Sequence, residues 1–200
     1  MKNILKIFIF TTLISCNNSQ KATQPFQEQD IMIDSIYVAD REIAIDLTKP
    51  IRENQSKIDQ IKEWSQIDSL DIWESAEGGT SIYLYDKDSL KKIVLKQYGE
   101  TGKMISEFYI KNGKLSLANE KSYDYNRPIY WDSIKMLENG DHQVFDIKKS
   151  ELIEYWTYFK DDRLITQINN QEDCPSDIKY LESERIRLIT EYNMLLNKKK

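Results

Sequence analysis

Between Ser81 and Leu117 the side chains alternate with a period of two, and no other feature of the chain limits its fold as strongly. Ile82 and Leu84 alternate with Tyr83 and Tyr85. Ile93 and Leu95 alternate with Val94 and Lys96, and Met104, Ser106, Phe108 and Ile110 alternate with Ile105, Glu107 and Tyr109; Leu115 and Leu117 follow. A strand sends successive side chains to opposite faces, whereas a helix would need a period near 3.6. Glycines within residues 99–102 and the pair Asn112-Gly113 fall between the runs, where residues that accept positive φ make tight turns. The stretch therefore reads as an antiparallel meander of at least four strands.

A short internal repeat supports the hairpins. Tyr85 to Leu90, Ile110 to Leu115 and Phe159 to Leu164 each begin with a large apolar residue, pass through a polar turn and end on a leucine that opens the next strand. The plan resembles the hairpins of MORN-type and YD-type repeats but lacks their strict spacing, so it is read as hairpin chemistry only. Pro128 and the loop through Asn139-Gly140-Asp141 interrupt the meander. A further hairpin is predicted near residues 151–159 and 164–169.

Helical spacing flanks this region. From Asp34 to Trp64, Ile36, Tyr37, Ile43, Ala44 and Leu47 share one face, and Ile51, Ile58 and Ile61 share another. Pro50 has the fixed φ and missing donor that suit a first helical position, so two helices are expected, the second beginning there. Residues 42–47 also alternate, which leaves a strand open as the other reading. After residue 176, Ile178, Leu181, Leu188, Ile189, Tyr192, Leu195 and Leu196 form the stripe of an amphipathic helix capped by Ser176 or Asp177. Arg185 falls inside that stripe, either packing its stem or pairing with a sheet carboxylate, and Met194 lies opposite. Strands in series followed by a terminal helix give an α+β class: an antiparallel β-meander with N-terminal helices and an amphipathic C-terminal helix.

The N-terminus carries its own message. Lys2 and Lys6 precede an apolar run, Ile7 to Ile14, and Ser15 stands before Cys16. The run is too short to span a bilayer, which takes ~20 apolar residues. Leu13-Ile14-Ser15-Cys16 resembles the signal motif of bacterial lipoproteins position by position. The resemblance covers about the first sixteen residues. It implies cleavage before Cys16, a lipid on its thiol and an acylated new N-terminus. The expected organisation is a lipoprotein signal peptide over residues 1–15, a flexible polar tether over 16–30 and a single α+β domain over 31–200. The expected location is the bacterial cell envelope, on the outer rather than the inner membrane where there are two.

Charge and motifs narrow the function. The chain has 28 basic and 33 acidic residues, net −5, and losing the two lysines of the signal brings it to −7. An acidic chain whose basic cluster is the terminal Lys198-Lys199-Lys200 is a poor partner for nucleic acid, and the lipid must do the work of anchoring. With Cys16 lipidated, Cys174 has no partner within the chain. His142 lies in a polar stretch that reads as a loop. Glu77-Gly78-Gly79-Thr80 precedes a strand, so it reads as a turn and not a phosphate loop. The acidic pairs Asp86/Asp88, Asp161/Asp162 and Glu172/Asp173 lack EF-hand spacing. No cofactor or metal is expected.

The aromatics stand above this background, because both faces of several strands carry them. If helices cover one face, the other exposes a platform of tyrosines, and Tyr83, Tyr85, Tyr109, Tyr155 and Tyr158 are the candidate binding residues. A non-enzymatic, lipid-anchored module that binds a protein, glycan or small ligand is the leading expectation. A hydrolase with a carboxylate pair in the sheet concavity and an assembly factor that docks through its terminal helix are the alternatives.

Overall fold

The computed structural model describes residues 41–73, 75–171 and 177–199. Cys16 with its signal and tether, the helical residues proposed before Arg41, Cys174 and the pair Glu172/Asp173 lie outside them. The chain runs α1 (Arg41–Asp59), β1 (Gln66–Ile72), β2 (Gly79–Asp86), β3 (Ser89–Tyr98), β4 (Gly102–Lys111), β5 (Lys114–Asp124), a short α2 (Ser133–Glu138), β6 (Glu151–Lys160), β7 (Arg163–Asn169) and α3 (Ile178–Lys198). The strands form one antiparallel sheet in the order β1 to β7, so each pairs with its neighbour in sequence. This is the α+β meander expected from the alternation. The interruption at Pro128 proves to be an excursion from one end of the sheet: β6 still pairs with β5.

The repeated hairpin plan has a uniform structural basis. Lys87, Asn112-Gly113 and Asp161-Asp162 all take positive φ, the backbone that twists a two-residue loop into the hand of the sheet. In each hairpin the register slips after the second pair from the turn, at Leu84/Tyr85, Tyr109/Ile110 and Tyr158/Phe159. A bulge of this kind adds local twist and re-aims the side chains beside it. The flanking residues Tyr85, Leu90, Ile110, Leu115, Phe159 and Leu164 thus all join the same hydrophobic cluster.

That cluster lies under α3. Leu181, Leu188, Tyr192 and Leu195 are buried against Phe108, Ile93 and the hairpin residues, with Ile189 and Leu196 at the margin. Asp177 caps the helix, its carboxylate accepting the amide N–H of Lys179 at 2.9 Å. The stripe is buried from Leu181 onward, whereas Ile178, its expected first member, is exposed in the first turn, and Met194 faces solvent. Arg185 is half-buried, in keeping with a packed stem, and its head pairs with Glu182 one turn earlier and reaches the Asp162 carbonyl at 3.5 Å. Arg187 is the residue that meets a sheet carboxylate. Its Nη1 and Nη2 donate to the two oxygens of buried Glu120 at 3.0 and 2.6 Å. Glu191 also approaches the guanidinium, and burial together with the charge of Glu120 pushes its carboxyl above the usual range.

The other face of the sheet holds a smaller cluster under α1: Ile51 and Ile58 pack on Tyr109, Leu117 and Tyr158, with Trp64, Trp156 and Ile165 beside them. Over the described residues α1 is one helix with Pro50 inside it, not two helices meeting at Pro50. An interior proline costs a helical hydrogen bond and ~3 kcal/mol in isolation. Burial of Ile51 and Ile58 on the sheet favours continuing the helix across it, and Lys111 donates to the Pro50 carbonyl at 3.3 Å. The strand alternative for residues 42–47 is likewise resolved as helix.

Candidate functional site

The tyrosine platform does not exist as expected, because the two long helices cover opposite faces of the sheet. Tyr83 is 0% exposed under α3, its hydroxyl donating to the Leu195 carbonyl at 2.8 Å. Tyr109 and Tyr158, on the other face, are 2% and 4% exposed under α1. Tyr85 is half-buried at the α3 cluster, with the ammonium of Lys199 3.9 Å above its ring and bonded to its hydroxyl. Tyr155, also half-buried, pairs across from Glu120 and so sits on the α3 side. Three of the five therefore cannot reach a partner without unpacking the core, and the other two line the edge of α3.

The face left open lies elsewhere. On the α1 side the register aligns Ile82, Val94, Glu107, Asn119, Trp156 and Ile168 in one row across six strands. The next row carries Lys96, Ile105, Lys121 and Glu154, and the one after it Tyr98, Lys103, Tyr123 and Leu152. Helix α1 ends at Asp59, over the neighbouring row that holds Lys92 and Tyr109. Of the residues in the three rows beyond, Trp156 packs against the cluster that holds Ile51 and Ile58 of α1. Most side chains of these rows are partly exposed, with Tyr98 and Ile168 exposed outright.

A ladder of charges crosses this face. Lys92 is buried and fully engaged: Glu107 lies 2.9 Å from its ammonium, Asp59 3.2 Å and the Tyr109 hydroxyl 2.7 Å. Tyr109 in turn donates to Asp59 at 2.9 Å. Burial, then the charges of Glu107 and Asp59, drive the Tyr109 phenol far above its ordinary range, so it stays protonated and donating. Lys121 stands between Glu107 at 3.8 Å and Glu154 at 3.5 Å, and Asn119 donates to Glu154 at 3.0 Å. Lys103 lies 4.5 Å over the Tyr123 ring. Opposite charges thus alternate from β3 to β6, which fixes these side chains in place and keeps the face flat.

The remaining expectations fall on loops. His142 is exposed, in the excursion between β5 and β6. Next to it Asp141 is a structural hub, accepting from Arg127 Nε and Nη2, from Trp131 Nε1 at 3.1 Å and from the His142 amide at 2.7 Å. The Arg127 guanidinium, aided by that amide, holds the Asp141 carboxyl well below the usual carboxylate range. Glu77-Gly78-Gly79-Thr80 is a turn into β2, with Gly78 at φ 74°. Asp86/Asp88 and Asp161/Asp162 flank or form hairpin turns. Among the described residues no cluster of three or more His, Cys, Asp or Glu could hold a metal, and no helix is long and apolar enough to cross a membrane.

Sequence reasoning missed the ladder. Its signal was available, since Lys92, Glu107, Lys121 and Glu154 interrupt otherwise apolar strands, but which strand lies beside which residue is set by the register. No family model matches this chain, and neither does any curated protein or solved structure.

Proposed function

We propose that the chain is a lipid-anchored binding protein of the bacterial cell envelope, tethered through Cys16, that meets a folded protein partner with the open rows of its α1 face. The observation that carries the binding half is the uncovered part of the sheet. It combines Tyr98 and Tyr123 with the aliphatic Ile82, Val94, Ile105, Leu152 and Ile168. Aromatic anchors in an apolar field rimmed by charge are the residue mix of protein interfaces, and the aliphatic share favours a protein over a glycan. The anchoring half rests on Leu13-Ile14-Ser15-Cys16 alone.

The alternatives have less support. A hydrolase needs a carboxylate free to give or take a proton, whereas Glu107 and Glu154 share Lys121. An assembly factor docking through α3 would need an apolar stripe to spare, and that stripe is spent on the chain's own sheet.

Site-specific photocrosslinking in living bacteria tests the reading. A photoreactive residue at Tyr123 or Ile168 should give one adduct of defined mass, and the same residue at Met194 on the outer side of α3 should give none. Adducts of equal yield at all three positions, or none at the first two, would overturn the binding face.

A further inference from the structure

The described residues contain a second concave feature, independent of the open face. A cavity of about 460 Å³ lies at the hairpin end of the sheet, between α1 and the turns β4–β5 and β6–β7. That volume is within the ~300–1,000 Å³ usual for small-molecule sites. Its accessible apolar floor is formed by Leu47 and Pro50 of α1, both exposed, above Ile51, Leu115 and Phe159, which are already buried in the core. Its rim is basic, with Lys49 from α1, Lys111 and Lys114 from either side of Asn112-Gly113, and Lys160 from the end of β6, all exposed. Four lysines from four elements line this cavity on a chain whose net charge is −5.

The rim's own counter-charge is small. Asp161 is the acid in the lining, and Asp162 pairs with Lys114 at 3.0 Å, both exposed enough to exchange partners with solvent. Lys111 donates to a carbonyl, not a carboxylate. Among the described residues Lys49 and Lys160 have no ion pair, so the mouth keeps a net positive charge above an apolar floor.

We propose that this cavity binds an anionic amphiphile, with a carboxylate or phosphate monoester among the lysines and an acyl or aryl body over Leu47 and Pro50. The chemistry follows from the two layers. Lysines grip an anion as mobile point charges without demanding bidentate geometry. The exposed apolar surface of Leu47 and Pro50 contributes through the area a ligand would remove from water, which a free inorganic anion cannot exploit. A neutral lipid would forgo the rim, and a polyanion could not reach the floor. The inference does not depend on the open face or on the anchor.

The test uses the full chain and the fluorescent acid 11-(dansylamino)undecanoic acid, with its methyl ester as the neutral twin. The acid should bind saturably and be displaced by dodecanoate and dodecyl phosphate but not by dodecanol or inorganic phosphate. The double variant Lys49→Gln, Lys160→Gln should weaken binding about three- to tenfold, the effect of two exposed charges, with an unchanged thermal melt. Lys148→Gln with Lys149→Gln, far from the cavity, should change nothing. Binding to phosphatidylglycerol vesicles that the rim variant loses would assign the head group to a bilayer lipid; displacement by free dodecanoate without vesicle binding would assign it to a free acid. Equal affinity for the ester, or an unweakened rim variant, would overturn the proposal.

Discussion

Replacing Leu188 by alanine asks whether α3 belongs to the fold or waits for a partner. Leu188 is 0% exposed, in the cluster that also holds Phe108, Leu181, Tyr192 and Leu195. The substitution removes three carbons, about 2.4 kcal/mol of transfer free energy at ~0.8 kcal/mol per buried methylene. The void cannot close fully, because the neighbouring rings are fixed: Tyr192 and Phe108 have centroids 6.4 Å apart, and the Tyr192 hydroxyl lies 3.4 Å from the Gly113 carbonyl. A residual cavity raises the cost to about 3–5 kcal/mol. For a domain of this length that is a fall in Tm of roughly 6–20 °C at ~2–4 °C per kcal/mol. The assay is a urea titration of purified protein, reading the midpoint at constant slope. Met194→Ala is the internal comparison; at 41% exposure it should stay within about 0.5 kcal/mol of wild type. Equal, small losses for both variants would refute the packing of α3 on its own sheet and return the terminal helix to the role of a docking element.

Three further outcomes follow from particular contacts. Tyr109→Phe removes the hydroxyl that accepts from Lys92 and donates to Asp59, and should cost about 1–3 kcal/mol in the same titration, since the ammonium it serves is buried. The Asp141 carboxyl is held below its unfolded value of ~3.9, so its contribution to the β5–β6 excursion is complete above that value and lost as pH falls below it. Asp141→Asn should therefore be nicked faster than wild type by a protease at pH 7 within residues 125–150, and proteolysis equally slow in both would count against the hub. Lys87 sits at φ 56° in a two-residue turn, and Lys87→Gly should raise stability by about 0.5–1 kcal/mol in thermal melts as that strain is released.

The parts of this fold that were legible in the sequence are those governed by neighbours in the chain. The repeat at Tyr85, Ile110 and Phe159 announced its hairpins because turn chemistry and alternation act over six residues. The stripe of α3 was readable for the same reason. Strand β1 was not, since Gln66-Ile67-Asp68-Ser69-Leu70-Asp71 is an edge with little to bury, and its polar side chains face water. Pro50 misled because helix continuity there depends on what Ile51 and Ile58 pack against. The tyrosines misled for a deeper reason: alternation says that Tyr83 and Tyr109 occupy faces but not which helix covers which face. Once α1 and α3 divide the faces between them, the aromatics of the open rows are Tyr98 and Tyr123. The Lys92–Glu107–Lys121–Glu154 ladder, like the pairing of Glu120 with Arg187 instead of Arg185, exists only in the assembled register.

The proposed anchor would set which compartment, and so which partners, the open face and the basic cavity can meet, and it is tested at one atom, the sulfur of Cys16. Bacteria expressing the full chain are fed an alkyne-tagged fatty acid, and the purified protein is assayed for label and for the mass of its N-terminus. The account predicts label on wild type, a chain beginning at lipid-modified Cys16, and loss of both in Cys16→Ala. Equal label on the Cys16→Ala protein, or a wild-type chain that keeps residues 1–15 and carries no lipid, would contradict it.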